Sequence, residues 1–224
     1  MKRLKEYVGE PIHLDLTGKR EVSGILIDFG SDVLVLCKQN EFLYLPLFHV
    51  REIRLLSKEE ADFLTPPETT DTLPLADKLS LKEVLQTASK GSFVELNMTA
   101  GQPVHGSITN VMDDYVVFFS PVYQMMLMPI QHIKWLIPYP ASSRPYGFDH
   151  SLSLVSSSAP KVYAATFADQ IENVKGSFIT LNIGEKECIS GKFLHKDAHF
   201  ITLMTVKEQK IHLNINHVKT VALL

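Results

Sequence analysis

The chain has 224 residues, 45% of them hydrophobic, and sets 22 Lys and Arg against 25 Asp and Glu for a formal net charge of −3. Such a composition builds apolar cores and excludes a wholly disordered chain, while a pI near 6.3 without a basic stripe gives no global reason to bind polyanions. No run reaches the roughly 20 apolar residues of a membrane helix, and MKRLKEYVGE at the start lacks the apolar stretch of a signal peptide, so the expected life of the chain is inside the cell that makes it.

The first predicted element is a short helical stretch, RLKEYVG, ending at Gly9. Strands follow, each read from period-two alternation between polar turns: PIHLDLT, VSGILIDF, VLVLCK and FLYLPL, then VREIRL after His49. A stretch rich in Pro, Thr and acidic residues leads to a second helix in SLKEVLQTASKG. Ser80 is its predicted N-cap, Gly91 its stop, and Leu81, Val84 and Leu85 share its apolar face. Strands SFVELNMT, VHGSITNV, YVVFFS and MMLMPI run to His132, and IKWLIP closes the set. After a Ser- and Pro-rich stretch the pattern returns a third time. Its helix is TFADQIENVKG, with Thr166 as N-cap, Phe167, Ile171 and Val174 on one face, and Gly176 as stop. SFITLNIG, ISGKFLHK, FITLMT and KIHLNI then lead to His217 and VKTVAL.

The spacing keeps step. Gly24, Gly106 and Gly191 each follow Gly9, Gly91 and Gly176 by fifteen residues, and the histidine lies 25, 26 and 26 residues further on. A glycine inside a strand predicts a bend, a bulge or the close approach of another backbone. The organisation expected is therefore three units, at 1–57, 80–138 and 164–224, joined by linkers at 58–79 and 139–163. One short helix and five bent antiparallel strands per unit predict a mainly β protein of three tandem small barrels.

The repeated histidines invite a chemical reading. As zinc ligands they lack a second His, Cys or acid at ligand spacing. As catalytic bases they lack a nucleophile in a recognised setting such as GxSxG, and no HExxH, P-loop or dinucleotide fingerprint occurs. The preferred reading is that each imidazole hydrogen-bonds backbone at the turn between the fourth and fifth strands; no enzyme activity, cofactor or small-molecule substrate is expected. Cys37 and Cys188 lie in different segments without metal-ligand spacing, which leaves two small thiols whose bonding stays open. In VYQMMLM, Met126 and Met128 face one way and Met125 the other, as for a strand buried on two sides; a partner contact is the alternative. Arg51, Lys134 and Lys219 read as solvated edge residues that discourage unwanted strand pairing.

Helix, five strands, strand-two glycine and the HVREI, HIKWL and HVKTV junctions resemble the Sm-like small barrel. With Asp32-Val33 and Asp114-Tyr115 they are also similar to the DUF2642 family, which includes the N-terminal region of Bacillus-type spore coat protein B. That resemblance implies a structural component of the endospore coat, made in the mother-cell cytoplasm, with other coat proteins and itself as partners. The long serine- and lysine-rich tail of coat protein B has no counterpart here. An Sm-like RNA-binding protein is the alternative. Against it, SDVL, DDYV and AHFI lack the Asn, and PLFHV, PIQHI and NINHV the Arg-Gly pair, with which Sm-like loops hold bases.

Overall fold

A computed structural model describes residues 2–66, 72–73, 78–98, 102–147 and 162–223. The protein is mainly β and antiparallel. Fifteen strands carry the repeat: β1 (Pro11–Leu16), β2 (Arg20–Phe29), β3 (Val33–Lys38), β4 (Glu41–Pro46) and β5 (Val50–Leu55) in the first copy; β6 (Phe93–Met98), β7 (Val104–Val111), β8 (Tyr115–Ser120), β9 (Gln124–Pro129) and β10 (Ile133–Pro138) in the second; β11 (Phe178–Leu181), β12 (Ile189–Lys196), β13 (Phe200–Met204), β14 (Lys210–Asn214) and β15 (Val221–Leu223) in the third. The last is shorter than VKTVAL suggests.

Helices α1 (Leu81–Ala88) and α2 (Phe167–Asn173) open the second and third copies. Each starts where its sequence says. The Ser80 hydroxyl accepts from the Glu83 N–H and the Thr166 hydroxyl from the Asp169 N–H, so one otherwise orphaned donor at each start is satisfied. The first copy opens instead with a 3₁₀ segment, Lys2–Tyr7. Gly9, Gly91 and Gly176 all hold positive φ, the conformation in which glycine ends a helix at least cost.

The strand glycines have a different job. A Cβ on Gly24, Gly106 or Gly191 would stand 2.6, 2.0 or 2.5 Å from the carbonyl oxygen of Cys37, Phe119 or Met204 on the next strand. Two residues after each glycine the register slips, between Leu26 and Asp28, Ile108 and Asn110, Phe193 and His195. Such a bulge bends the long second strand and increases its local twist.

Compactness does not follow the three sequence copies. The chain divides into two units, Met1–Ala100 with Ile133–Ser143, and Gly101–His132 with Arg144–Leu224. In the first the hydrogen-bonded order is β6-β10-β4-β3-β2-β1-β5; in the second it is β14-β13-β12-β11-β15-β9-β8-β7. The physical reason is the fourth strand. β4 pairs with β10 of the second copy, and β9 pairs with β15 of the third. A copy therefore does not close on itself by joining its fourth strand to its fifth, and self-contained barrels are not what the pairing shows.

The cores follow suit. In the first unit Ile12, Leu14, Leu16, Leu34, Leu36 and Leu45 are wholly buried, and Ile137 of the second copy joins them. In the second unit Phe193, Ile179, Leu181 and Leu203 are buried with Tyr115, Val117 and Leu127 of the second copy. Each such side chain contributes about 1.5–3 kcal/mol of burial. Of the predicted linkers, residues 67–71, 74–77 and 148–161 lie outside the described residues. Of the first, Leu73 is buried and its N–H donates to the Tyr44 hydroxyl at 2.8 Å.

Candidate functional site

The places where one copy meets the next hold His49, His132, Lys134 and Met126 of the residues singled out in the sequence. Two junctions lie within the described residues, one in each unit, and they share a plan. Strand pairing comes first: Tyr44 stands opposite Leu136 at the first, Leu127 opposite Val221 and Met126 opposite Ala222 at the second. Tyr44 and Leu127 each lie five residues before their histidine, and Leu136 and Val221 four residues after theirs, so the register is the same.

A helix clamp comes second. The Asp32 carboxylate accepts from the Leu81 N–H at 2.8 Å, and the Asp114 carboxylate from the Phe167 N–H at 2.7 Å. A carboxylate is favoured at a helix N-terminus, where unpaired N–H groups and the helix dipole both present positive charge. One residue earlier in each turn, the Ser31 N–H donates to Leu79 O and the Asp113 N–H to Ala165 O. The third copy has His199 at this position, fixed by its carbonyl, which accepts from Ile215 as those of Asp32 and Asp114 accept from Leu47 and Ile130. Sequence reading paired Asp32 with Asp114 but missed what they do, because each caps a helix about fifty residues further along.

A histidine contact comes third, and here the two junctions differ. His49 is buried at 8% exposure. Its Nδ1 lies 2.9 Å from the Thr17 hydroxyl and 3.0 Å from Lys134 Nζ, and Lys134 also donates to the Thr17 hydroxyl. An Nδ1 that faces an ammonium is an acceptor, which leaves the ring proton on Nε2. Lys134 is 1% exposed. The expectation of a solvated edge residue is thus wrong for Lys134: its strand is covered by β4, and a buried ammonium persists only when hydrogen-bonded. His132 Nε2 donates to Asn216 O at 3.0 Å, and Lys219 Nζ stands 2.8 Å from a nearly buried Glu185 carboxylate. The imidazoles of His49 and His132 therefore each reach a residue of the next copy. Arg51 is exposed on β5, its guanidinium 3.5 Å from Asp15. His217 is exposed.

Met126 and Met128 are fully buried and Met125 partly so; with Lys134 they belong to internal packing and not to an outer surface. Cys37 and Cys188 are free thiols, the first buried, the second exposed, and burial raises the Cys37 pKa. Among the described residues no group of three His, Cys, Asp or Glu is placed to hold a metal ion, and no helix is long and apolar enough to cross a membrane. Burial, with lesser pushes from Asp114 and Tyr163, raises the Tyr115 pKa to about 12; its hydroxyl donates to Ala164 O in the segment leading into α2.

A family profile described as the YwrJ third domain matches residues 166–221, nearly coextensive with the third copy. The whole chain is similar to a Bacillus subtilis (strain 168) protein called uncharacterized protein YwrJ, 31% identical over 227 residues that span 100% of both chains.

Proposed function

The chain belongs to the YwrJ family, and from that premise we propose that it is a non-enzymatic structural protein of the bacterial endospore coat. Each copy is read as an Sm-like small barrel opened at its fourth and fifth strands, which are left to pair with neighbours. One observation carries this reading. The same fourth-to-fifth-strand pairing, in the same register, joins the first copy to the second and the second to the third. Main-chain pairing supplies adhesion that does not depend on reactive groups, and side chains along the strand supply selection. Linked copies add their contacts through effective concentration. The similarity of the repeat to DUF2642 coat proteins supplies the location, the coat after synthesis in the mother cell, and the partners, other coat proteins.

The RNA-binding alternative has less to rest on. Of the three basic residues two places after the repeated histidines, Lys134 is buried, Lys219 is paired with Glu185 and Arg51 with Asp15, so these positions do not form a repeated phosphate contact. The test is fractionation of a sporulating Bacillus host that carries the chain. It is expected in the coat extract, and still there after nuclease and chelator treatment. Recovery in the vegetative cytosol or spore core alone, or release by nuclease, contradicts the reading.

A further inference from the structure

Two strand edges lack the partner that their counterparts have. Among the described residues β14 pairs only with β13, and β5 only with β1, and the strand order of each unit ends at them. They are complementary in kind: β14 is a fourth strand without a fifth, and β5 a fifth strand without a fourth. Resting on the scaffold reading, we propose that a second copy of this chain fills both vacancies, its β5 adding to β14 in the register of the two internal junctions.

That register can be written out. Ile53 of one copy stands opposite His212 of the next, as Leu136 stands opposite Tyr44 and Val221 opposite Leu127. Arg54 then faces Ile211, Leu55 faces Lys210, and Glu52 faces Leu213. No two like charges oppose each other, although both strands carry basic residues, so the pairing avoids the penalty that like charges impose across strands. The exposed His217 imidazole makes no hydrogen bond among the described residues. By the example of His132 and Asn216, it meets the carbonyl of Phe48 in the next copy. Phe48 and Leu55 are 53% and 43% exposed at one edge, and Phe200, beside β14, is 45% exposed at the other.

The joint has the strands of an internal junction without its clamp. His199 replaces the capping aspartate, and the first copy begins with a 3₁₀ segment rather than a capped α-helix. Association between chains is accordingly reversible and concentration-dependent, while the internal junctions are permanent. Because the two surfaces differ, the contact is heterologous; it extends beyond a dimer unless the rotation closes a ring.

The whole chain with Cys188→Ser is made as two further variants, Arg54→Cys and Ile211→Cys, and cross-linked under mild oxidation. The mixture is expected to give a disulfide dimer containing one of each, and neither variant alone to give one. Sedimentation velocity on the parent is expected to show a coefficient that rises with concentration. Equal homodimers from each variant, or no mixed dimer together with a parent that sediments as one species at every concentration, overturn the proposal. Unchanged melting temperatures of the variants exclude misfolding as the cause. If the chain still fractionates with the coat while cross-linking fails, the joint is lost and the scaffold reading stands; cross-linking by a chain absent from the coat has the reverse meaning.

Discussion

β4 and β14 occupy the same place in the repeat and live in different surroundings. Phe42 to Pro46 are buried without a break, whereas no residue of β14 is buried. The difference lies in what is alongside. β4 has β3 on one edge and β10 on the other; among the described residues β14 has β13 alone. Fifth strands divide in the same way: β10 and β15 are mostly buried, and β5 is half-exposed or exposed throughout. Side chains track this. FLYLP and MMLMP are apolar on both faces, as covered strands are, while KIHLN and VREIRL alternate or carry charge, as managed edges do. Position in the repeat therefore sets the backbone, and the neighbour sets the side chains.

The comparison is sharpest at the position five residues before the histidine. Leu127→Ala removes a wholly buried side chain opposite Val221 and is expected to cost about 2–5 kcal/mol. His212→Ala, at the edge, removes only the imidazole that hydrogen-bonds the Thr202 hydroxyl at 2.9 Å and is expected to cost about 1 kcal/mol. Urea unfolding of both variants measures the gap, and equal costs would break the comparison. The basic residues two places after the histidine come next. Lys134→Ala removes the buried ammonium that donates to Thr17 and His49 and is expected to cost about 2–3 kcal/mol, against about 0.5 kcal/mol or less for Arg51→Ala, whose ion pair is exposed.

Smaller effects separate the clamps. Asp32→Ala and Asp114→Ala are each expected to lose about 1 kcal/mol, the worth of an N-terminal cap, and His199→Ala to lose nothing measurable by the same unfolding assay. Last is an alkaline test. Tyr115, whose place in the third copy is taken by Phe200, has its folded pKa raised from 10 to about 12. The folded state therefore favours the neutral phenol. That stability is fully present below pH 10 and is lost as pH rises through 12. Tyr115→Phe is expected to remove this part of the alkaline decline in melting temperature; an unchanged decline contradicts it.

Much of the backbone was legible in the sequence because its determinants are local. Ser80 and Thr166 cap helices three residues away, and Gly24, Gly106 and Gly191 mark contacts with the next strand of the same copy. The junctions were not legible, since period-two alternation says which faces are apolar and not which strand lies alongside. Lys134 is the clearest case. A lysine in a short strand is ordinarily solvated, and only the arrival of β4 and of His49, 85 residues away, buries it. The two-faced apolar runs of β4 and β9, set against the mixed run of β14, were the available sign.

Hydrogen–deuterium exchange of the whole chain in dilute solution tests the central claim most directly, because it reads strand edges amide by amide. Amides of β10 and β15 that face β4 and β9 should be strongly protected, and the outward amides of β5 and β14 should exchange rapidly, gaining protection as concentration rises. Protection of β5 and β14 equal to that of β10 and β15 at the lowest concentration would mean that the chain covers its own edges, and the account would be wrong.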